Sequence, residues 1–442
     1  MAYKSLEQWE RQRSHMLVLM AFQQLMNGIE YSITYATMWL YIKSVDPLAS
    51  DSKNRIFYSL IATSKFASTI LFSPIIGKIM DKHRNLRTLT LFANILAVIG
   101  NLVYTFNFSI WCLLIGAFLT GFQGTTRPIG YSEVSRCYSK DEVQSKLALT
   151  AGADGVGFLI GPVLNFFFIN VDIKIGSWHL NYYNAAVGFL AIVYLILIIA
   201  DVIFLKDISK DLELSGERSL LLDEEEDADK EDDENLQTFE KWSIGTYVDI
   251  AIIACLTFLT AFLPYMEDIW ASLLIIDIQG LTVKEMNIFF LICAISSIIT
   301  MVIFIKFNFT GSTLYYLAIT WILALLIQQN LTALLKIYTL SYGLTMFLWG
   351  IVGVATTQIV SMEYYYLVEI LPRMVTRSRL SYWSSFRWSL YMVGCLIASL
   401  AGPYLFLYLE YEVLFVNAFV MILLIAFVFR KDSFVNPKVI IN

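Results

Sequence analysis

Charge is scarce in this chain. Asp, Glu, Lys and Arg make up 15% of its 442 residues, whereas a soluble domain carries roughly a quarter. That balance excludes two or three ordinary water-soluble domains. Cysteine is scarce as well. Cys112, Cys137, Cys255, Cys293 and Cys395 stand apart, without C-x-x-C or metal-ligand spacing, which leaves buried free thiols rather than a disulfide or zinc scaffold. The only histidines, His15, His83 and His179, fall at the ends of apolar segments, so no metal cage is expected. No G-x-x-x-x-G-K loop and no G-x-S-x-G elbow occur. Phosphate cradling and nucleophilic hydrolysis therefore lack their motifs, and neither an enzyme nor a resident cofactor is expected. The first fourteen residues are polar, with no small-residue cleavage site behind an apolar core, so no removable signal peptide is read.

What the chain does have is apolar sequence, at 57% hydrophobic residues. A bilayer-spanning helix needs about 20 mostly apolar residues. About twelve such segments fit, over 16–42, 56–80, 88–106, 109–133, 146–170, 181–205, 246–274, 285–305, 312–329, 336–370, 381–409 and 412–429. The expected class is an all-α polytopic membrane protein whose first partner is the lipid bilayer. One long polar run interrupts it: Lys206 to Lys241 holds 15 acidic residues against 5 Lys and Arg. The chain thus divides into a six-helix half over 1–205, an acidic linker over 206–241 and a second six-helix half over 242–442. Basic residues set the orientation. Lys4, Arg11 and Arg13 precede the first span; Lys78, Lys82, Arg84 and Arg87 join spans two and three; Arg136, Lys140 and Lys146 join four and five; Arg373, Arg377 and Arg379 join ten and eleven. These share one side, so both termini and the linker are expected in the cytosol, although Lys43, Lys53 and Arg55 lie on the other. The net charge of −6 gives no reason to expect a nucleic-acid partner.

Polar residues inside the spans are candidates for a pathway. Gln23, Asn27, Glu30, Thr34, Thr37 and Tyr41 step by three and four, the spacing of one helical face. Glu30 costs about 2.5–3.5 kcal/mol in mid-membrane and is by default a functional candidate. Arg127 in span four, Asp154 among the glycines of span five, and Glu267 with Asp268 behind Pro264 in span seven join it.

Where span two leaves the membrane the chain reads Gly77-Lys78-Ile79-Met80-Asp81-Lys82-His83-Arg84-Asn85-Leu86-Arg87. This resembles G-x-x-x-D-[RK]-x-x-[RK], the signature between helices 2 and 3 of the major facilitator superfamily. The resemblance implies that Gly77, Asp81, Lys82, Arg84 and Arg87 form a cytosolic gate, with Gly77 allowing close approach and Asp81 facing a helix N-terminus. Gly157-x-x-x-Gly161-Pro162 is similar to the superfamily's helix 5 packing motif, and Gly402-Pro403 echoes it 241 positions later; Glu267 stands 237 positions after Glu30. Two related six-helix halves with a site between them at midplane are what the superfamily implies. The arginine that many members keep early in helix 4 would fall near Ala117 and is absent here.

A narrower resemblance lies in Trp39-Leu40-Tyr41 followed by Asp46-Pro47-Leu48-Ala49, and in Ser73-Pro74-Ile75-Ile76-Gly77. These are similar to the lysosomal major-facilitator proteins linked to neuronal ceroid lipofuscinosis and their invertebrate relatives, which implies an endolysosomal membrane and a chloride conductance. Within the linker, Glu217-Arg218-Ser219-Leu220-Leu221-Leu222 satisfies [DE]-x-x-x-L-[LI], the signal that clathrin adaptors read in an exposed cytosolic segment. Asn330-Leu331-Thr332 is an N-glycosylation sequon expected in a luminal loop between spans nine and ten. Three functions stay open: alternating-access transport of a small solute or ion linked to protons, a lysosomal anion channel, and a non-transporting membrane adaptor. For the first, burial disfavours the charged form of Glu30 and Glu267, so an acidic lumen would load protons that the cytosol removes.

Overall fold

The computed structural model describes residues 6–34, 37–48, 50–106, 108–176, 178–215, 244–272, 279–280, 283–338, 340–405 and 409–435. Helices dominate them: α1 (Leu6–Ser32), α2 (Met38–Val45), α3 (Asp51–His83), α4 (Leu86–Thr105), α5 (Ile110–Gly121), α6 (Thr126–Cys137), α7 (Lys140–Leu164), α8 (Ala185–Phe204) and the short α9 (Ile208–Ser215) come first. After the linker follow α10 (Ile244–Ser272), α11 (Val283–Lys306), α12 (Gly311–Ile337), α13 (Tyr342–Ser361), α14 (Val368–Met374), α15 (Leu380–Leu405), α16 (Leu409–Phe429) and α17 (Lys431–Val435). With α5–α6 and α13–α14 each read as one interrupted segment, twelve long segments stand where the hydropathy pattern expects twelve spans. Seven of the described helical stretches are long and apolar enough, by length and composition, to cross a membrane. Others, such as α1, fall short because buried polar residues, Gln23, Gln24, Asn27 and Glu30, interrupt their apolar run.

Local chemistry sets several of these ends. Ser50 caps α3 by accepting from the Lys53 amide at 3.3 Å, and Thr310 caps α12 by accepting from the Thr313 amide at 3.3 Å; each satisfies an orphan donor of a first turn. Helix α3 stops at Arg84, whose φ of 51° turns the chain left-handed and ends the hydrogen-bond ladder. A two-stranded antiparallel hairpin, Asp172–Ile175 with Trp178–Asn181 and Ile173 opposite Leu180, joins α7 to α8. Periodicity did not reveal strands so short.

Four readings need correction. The first span is not one helix: α1 stops at Ser32 and α2 restarts at Met38, so the polar stripe does not continue on one helical face, although all six of its residues are buried. The polar run is not solvated throughout, because Ile208 and Ser209 near its start are buried and α9 docks on α6, with Glu133 accepting from the Ser209 amide at 3.0 Å and its hydroxyl at 2.7 Å. Span nine extends to Ile337. Asn330 therefore sits inside α12, donating to the Leu326 carbonyl at 2.7 Å, with Thr332 buried. A sequon needs an extended, accessible segment, so the glycosylation expectation at Asn330 fails.

Two compact units divide the chain. The first comprises Met1–Phe239 and Thr376–Met392, the second Glu240–Val375 and Val393–Asn442. In the first, Met26, Ile29, Ile33, Leu113, Leu190 and Leu197 belong to a continuous apolar core. Helix α7 lies against α1 at Gly157 and Gly161. A Cβ on Gly157 would run into the Leu25 carbonyl oxygen, and one on Gly161 into the Ser32 hydroxyl, which is the backbone approach that small residues permit in membranes. In the second unit, Met266, Phe289, Leu335, Trp349 and Val352 form the core. Arg430 there grips buried Asp249 with two bonds, Nε at 2.7 Å and Nη2 at 2.6 Å. Between α13 and α14 the helix widens to a π-turn over Met362–Leu367, a feature frequent at functional sites.

Candidate functional site

Glu30 is 2% exposed and each of its carboxylate oxygens has a partner. Lys65 of α3 places Nζ 3.3 Å from Oε1 and donates to the Glu30 carbonyl at 2.6 Å. Asn101 of α4 donates from Nδ2 to Oε2 at 2.8 Å. A small pocket beside this pair is lined by Tyr31, Thr34, Lys65, Phe66 and Tyr104. Lys65 and Asn101 are the residues that the sequence reading missed. The signal for Lys65 was present, since a lysine inside the 56–80 span is as costly in the membrane as the acid. Nothing in the sequence aligned the two, because they lie 35 positions apart.

Arg127 and Asp154, separate candidates in the sequence, form one buried ion pair in the structure. The Arg127 guanidinium also stacks over the Trp388 ring, with Cζ 4.0 Å from its centroid, a cation–π contact that strengthens away from water. Asn27 joins the same helix layer by donating to Thr126 Oγ1 at 3.1 Å. Glu267 lies in the second unit, fully buried, and accepts from Thr332 Oγ1 at 2.9 Å. Asp268 falls within α10, Pro162 within α7, and Gly402 and Pro403 within α15; their side chains are outside the described set, as are Glu217, Leu221 and Leu222 of the linker. No cluster of His, Cys, Asp and Glu among the described residues could hold a metal ion.

The signature after α3 closes around the start of α15. Asp81 accepts from the Ser381 amide at 2.9 Å (Oδ1) and the Tyr382 amide at 2.7 Å (Oδ2). It thus caps this N-terminus, where orphan amides and the helix dipole favour an anion. Arg136 completes the knot: Nη2 donates to Asp81 Oδ1 at 2.6 Å and to the Arg377 carbonyl at 3.0 Å, and Nη1 to Ser381 Oγ at 2.8 Å. Burial, and next the neighbouring Arg84 charge, push the Arg136 guanidinium down to about 10, so it remains a cation at neutral pH. Arg84 reaches the Arg377 carbonyl at 3.3 Å. Gly77 leaves room, since a Cβ there would stand 2.5 Å from the Ser381 carbonyl and from Ser385 Oγ. Gly77, Asp81 and Arg84 therefore meet at the start of α15. Lys82 is exposed, and Arg87 turns away to the Asp207 carboxylate through its amide at 2.8 Å and to the Val202 carbonyl.

This arrangement carries a direct prediction. A hydrogen bond to a charged group contributes about 1.5–3 kcal/mol, which is roughly 10- to 100-fold in an opening equilibrium. Asp81→Ala should accelerate amide exchange of Ser381 and Tyr382 by about that factor, read by hydrogen-exchange mass spectrometry on peptides spanning 377–385. Unchanged exchange there would show that Asp81 is not what holds the start of α15.

With this geometry in view, comparison with known proteins gives the family. The family model for the Major Facilitator Superfamily matches residues 20–368. The chain belongs to this superfamily of membrane transporters. The class H tetracycline resistance protein of Pasteurella multocida is 24% identical over 175 residues, 40% of this chain. The match spans 41% of that relative's length. Among solved structures, a bacterial homologue of the iron transporter ferroportin in its outward-facing state, soaked with iron, superposes with a TM-score of 0.66 at 12% identity, covering 95% of this chain and 99% of that one. The proton:xylose symporter XylE bound to 6-bromo-6-deoxy-D-glucose superposes with a TM-score of 0.64 at 13% identity, covering 98% of each. At these identities the two structures establish the shared fold.

Proposed function

We propose that this transporter moves a small anionic solute or inorganic anion together with protons, by alternating access, across an endolysosomal membrane with both termini and the acidic linker in the cytosol. The observation that carries this reading is the Lys65–Glu30–Asn101 cluster beside a pocket. A closed Lys65–Glu30 pair is neutral and offers an anion nothing. Protonation of Glu30 cancels its charge and leaves the Lys65 ammonium uncompensated in a low-dielectric interior, where an unpaired charge is costly. An anion entering the pocket restores neutrality, so proton and anion bind as a unit. Loss of the proton to the more alkaline cytosol closes the pair again and expels the anion.

The test is flux into proteoliposomes with chloride as the probe, under a pH gradient. Wild type should show chloride uptake that rises as the external face is acidified. Glu30→Gln should lose the pH dependence, and Lys65→Gln should lose uptake. If Glu30→Gln and Glu267→Gln both keep the wild-type pH profile, these acids are structural and the proton link fails. A second reading, an anion conductance, draws on the same Lys65 and on the narrower resemblance. It predicts chloride current at a rate that does not scale with proton movement. The absence of any flux would favour the adaptor reading.

The linker supplies the address in this proposal. Replacing both Leu221 and Leu222 with alanine should move the protein from lysosomes to the cell surface, seen by imaging against a lysosomal marker. Full lysosomal overlap of that variant would remove this dileucine as the necessary signal.

A further inference from the structure

The short helix α9, at the start of the linker, is held by the two segments that carry Asp81 and Arg136. Its first residues, Ile208 and Ser209, are buried. Toward α6 the contact is Glu133, also buried, whose Oε1 accepts from the Ser209 amide at 3.0 Å and whose Oε2 accepts from the Ser209 hydroxyl at 2.7 Å. The other donor on this carboxylate among the described residues is the Cys137 thiol, at 3.7 Å. Toward the α3–α4 turn, Lys210 Nζ donates to Asn85 Oδ1 at 2.8 Å, and Asp207 Oδ1 accepts from the Arg87 amide at 2.8 Å. Asn85 directly follows Arg84, and Glu133 stands three positions before Arg136. Helix α9 thus joins the ends of α3 and α6, from which Asp81 and Arg136 reach the start of α15.

Arg136 has a donor to spare. Its Nη1 and Nη2 serve Ser381, Asp81 and the Arg377 carbonyl, whereas Nε is buried without a partner. Residues three apart on a helix are neighbours, and the charges of both Glu133 and Asp81 act on Arg136 through space. The other basic groups nearby point elsewhere. Lys210 is on Asn85, the Arg87 guanidinium is on the Val202 carbonyl, and Arg84 stands 3.8 Å from Asp81. A buried carboxylate stripped of its hydrogen bonds is strongly unfavourable unless a cation takes over. For Glu133 without α9, that cation is Arg136.

We propose that α9 is a clip that sets the strength of the Asp81–Arg136 knot, with Glu133 as the positioning residue between them. Seated, α9 holds the Glu133 carboxylate through Ser209 and leaves the Arg136 guanidinium to Asp81 and the start of α15. Released, it strands Glu133, and the guanidinium turns toward that carboxylate through Nε. Asp81 then keeps Arg84 but loses its shorter ion pair, and the N-terminus of α15 loosens. The start of the linker thereby controls how readily this end of the first unit opens, whichever solute the transporter carries.

Hydrogen-exchange mass spectrometry on the purified full chain reads both ends of the clip, on peptides spanning 205–215 and 377–385. Ile208→Asn removes the apolar seat of α9, adds no charge and leaves Glu133 and Ser209 in place. Exchange should rise in α9 and, by at least about tenfold, at the Ser381 and Tyr382 amides. Adding Glu133→Gln removes the competing charge. In that double variant α9 stays fast, while exchange at Ser381 and Tyr382 returns to within about threefold of wild type. A fast α9 beside an unchanged 377–385 peptide in the single variant overturns the proposal. So does a double variant in which both peptides stay fast, since that is general loosening rather than competition for Arg136. Should Ile208→Asn fail to fold, Ser209→Ala, which deletes the hydroxyl bond alone, takes its place. A rise in both peptides then supports the clip, and a rise confined to α9 overturns it. None of these outcomes bears on the chloride uptake assay.

Discussion

Lys65→Met should cost the purified protein about 3–5 kcal/mol of stability, the usual loss when one partner of a buried ion pair is removed. The Glu30 side chain is 2% exposed and that of Lys65 8%, so water cannot take over the interaction. Without the ammonium, Glu30 keeps the Asn101 bond at 2.8 Å and loses its only ion pair among the described residues. The cost arises from the stranded charge rather than from the missing contact. Glu30→Gln combined with Lys65→Met should therefore recover most of the loss, because replacing both partners by neutral groups is often neutral or stabilising. The comparison is made by chemical or thermal unfolding of the two variants in the same detergent. Equal destabilisation by the single and the double change would mean that packing, not charge, dominates this site, and the proposed proton–anion exchange at Glu30 and Lys65 would lose its basis.

Two glycines of α7, two positions apart, should behave oppositely. Gly157→Val should cost at least about 1–3 kcal/mol, the usual range for overpacking, because the added Cβ would collide with the Leu25 carbonyl of α1 and stand 2.9 Å from its carbon. Backbone on a neighbouring helix cannot swing aside as a side chain can, so folded yield should fall sharply. Gly155→Val meets nothing within 4 Å and should stay within about 0.5 kcal/mol of wild type, as surface changes generally do. Size-exclusion profiles of the two variants read the contrast directly. Similar profiles would mean that α1 and α7 do not depend on this close approach.

Much of the architecture was legible before any coordinates. Apolar length and the scarcity of charge foretell twelve spans, because a bilayer imposes a minimum run of apolar residues that few other environments require. The G-x-x-x-D-[RK]-x-x-[RK] run marked Asp81 and Gly77 as contact points, since that spacing joins a helix end to an anion and a small residue. The boundaries were less legible. The break between Ser32 and Met38 and the extension of α12 through Asn330 occur in stretches whose apolar pattern suits helix and turn equally.

Sequence alone therefore determined the class of this protein, the number of its helical segments and the buried acids worth watching, because burial cost is a property of each residue type. Only the tertiary structure decided which charges meet. Glu30 with Lys65, Arg127 with Asp154 and Asp81 with Arg136 are 35, 27 and 55 residues apart. Coulomb energy depends on distance in space, and helical periodicity orders residues only within their own helix. The same reason hid Glu133 and Ser209. They are 76 residues apart, and only the packing of α9 on α6 brings the Glu133 carboxylate within 2.7 Å of the Ser209 hydroxyl.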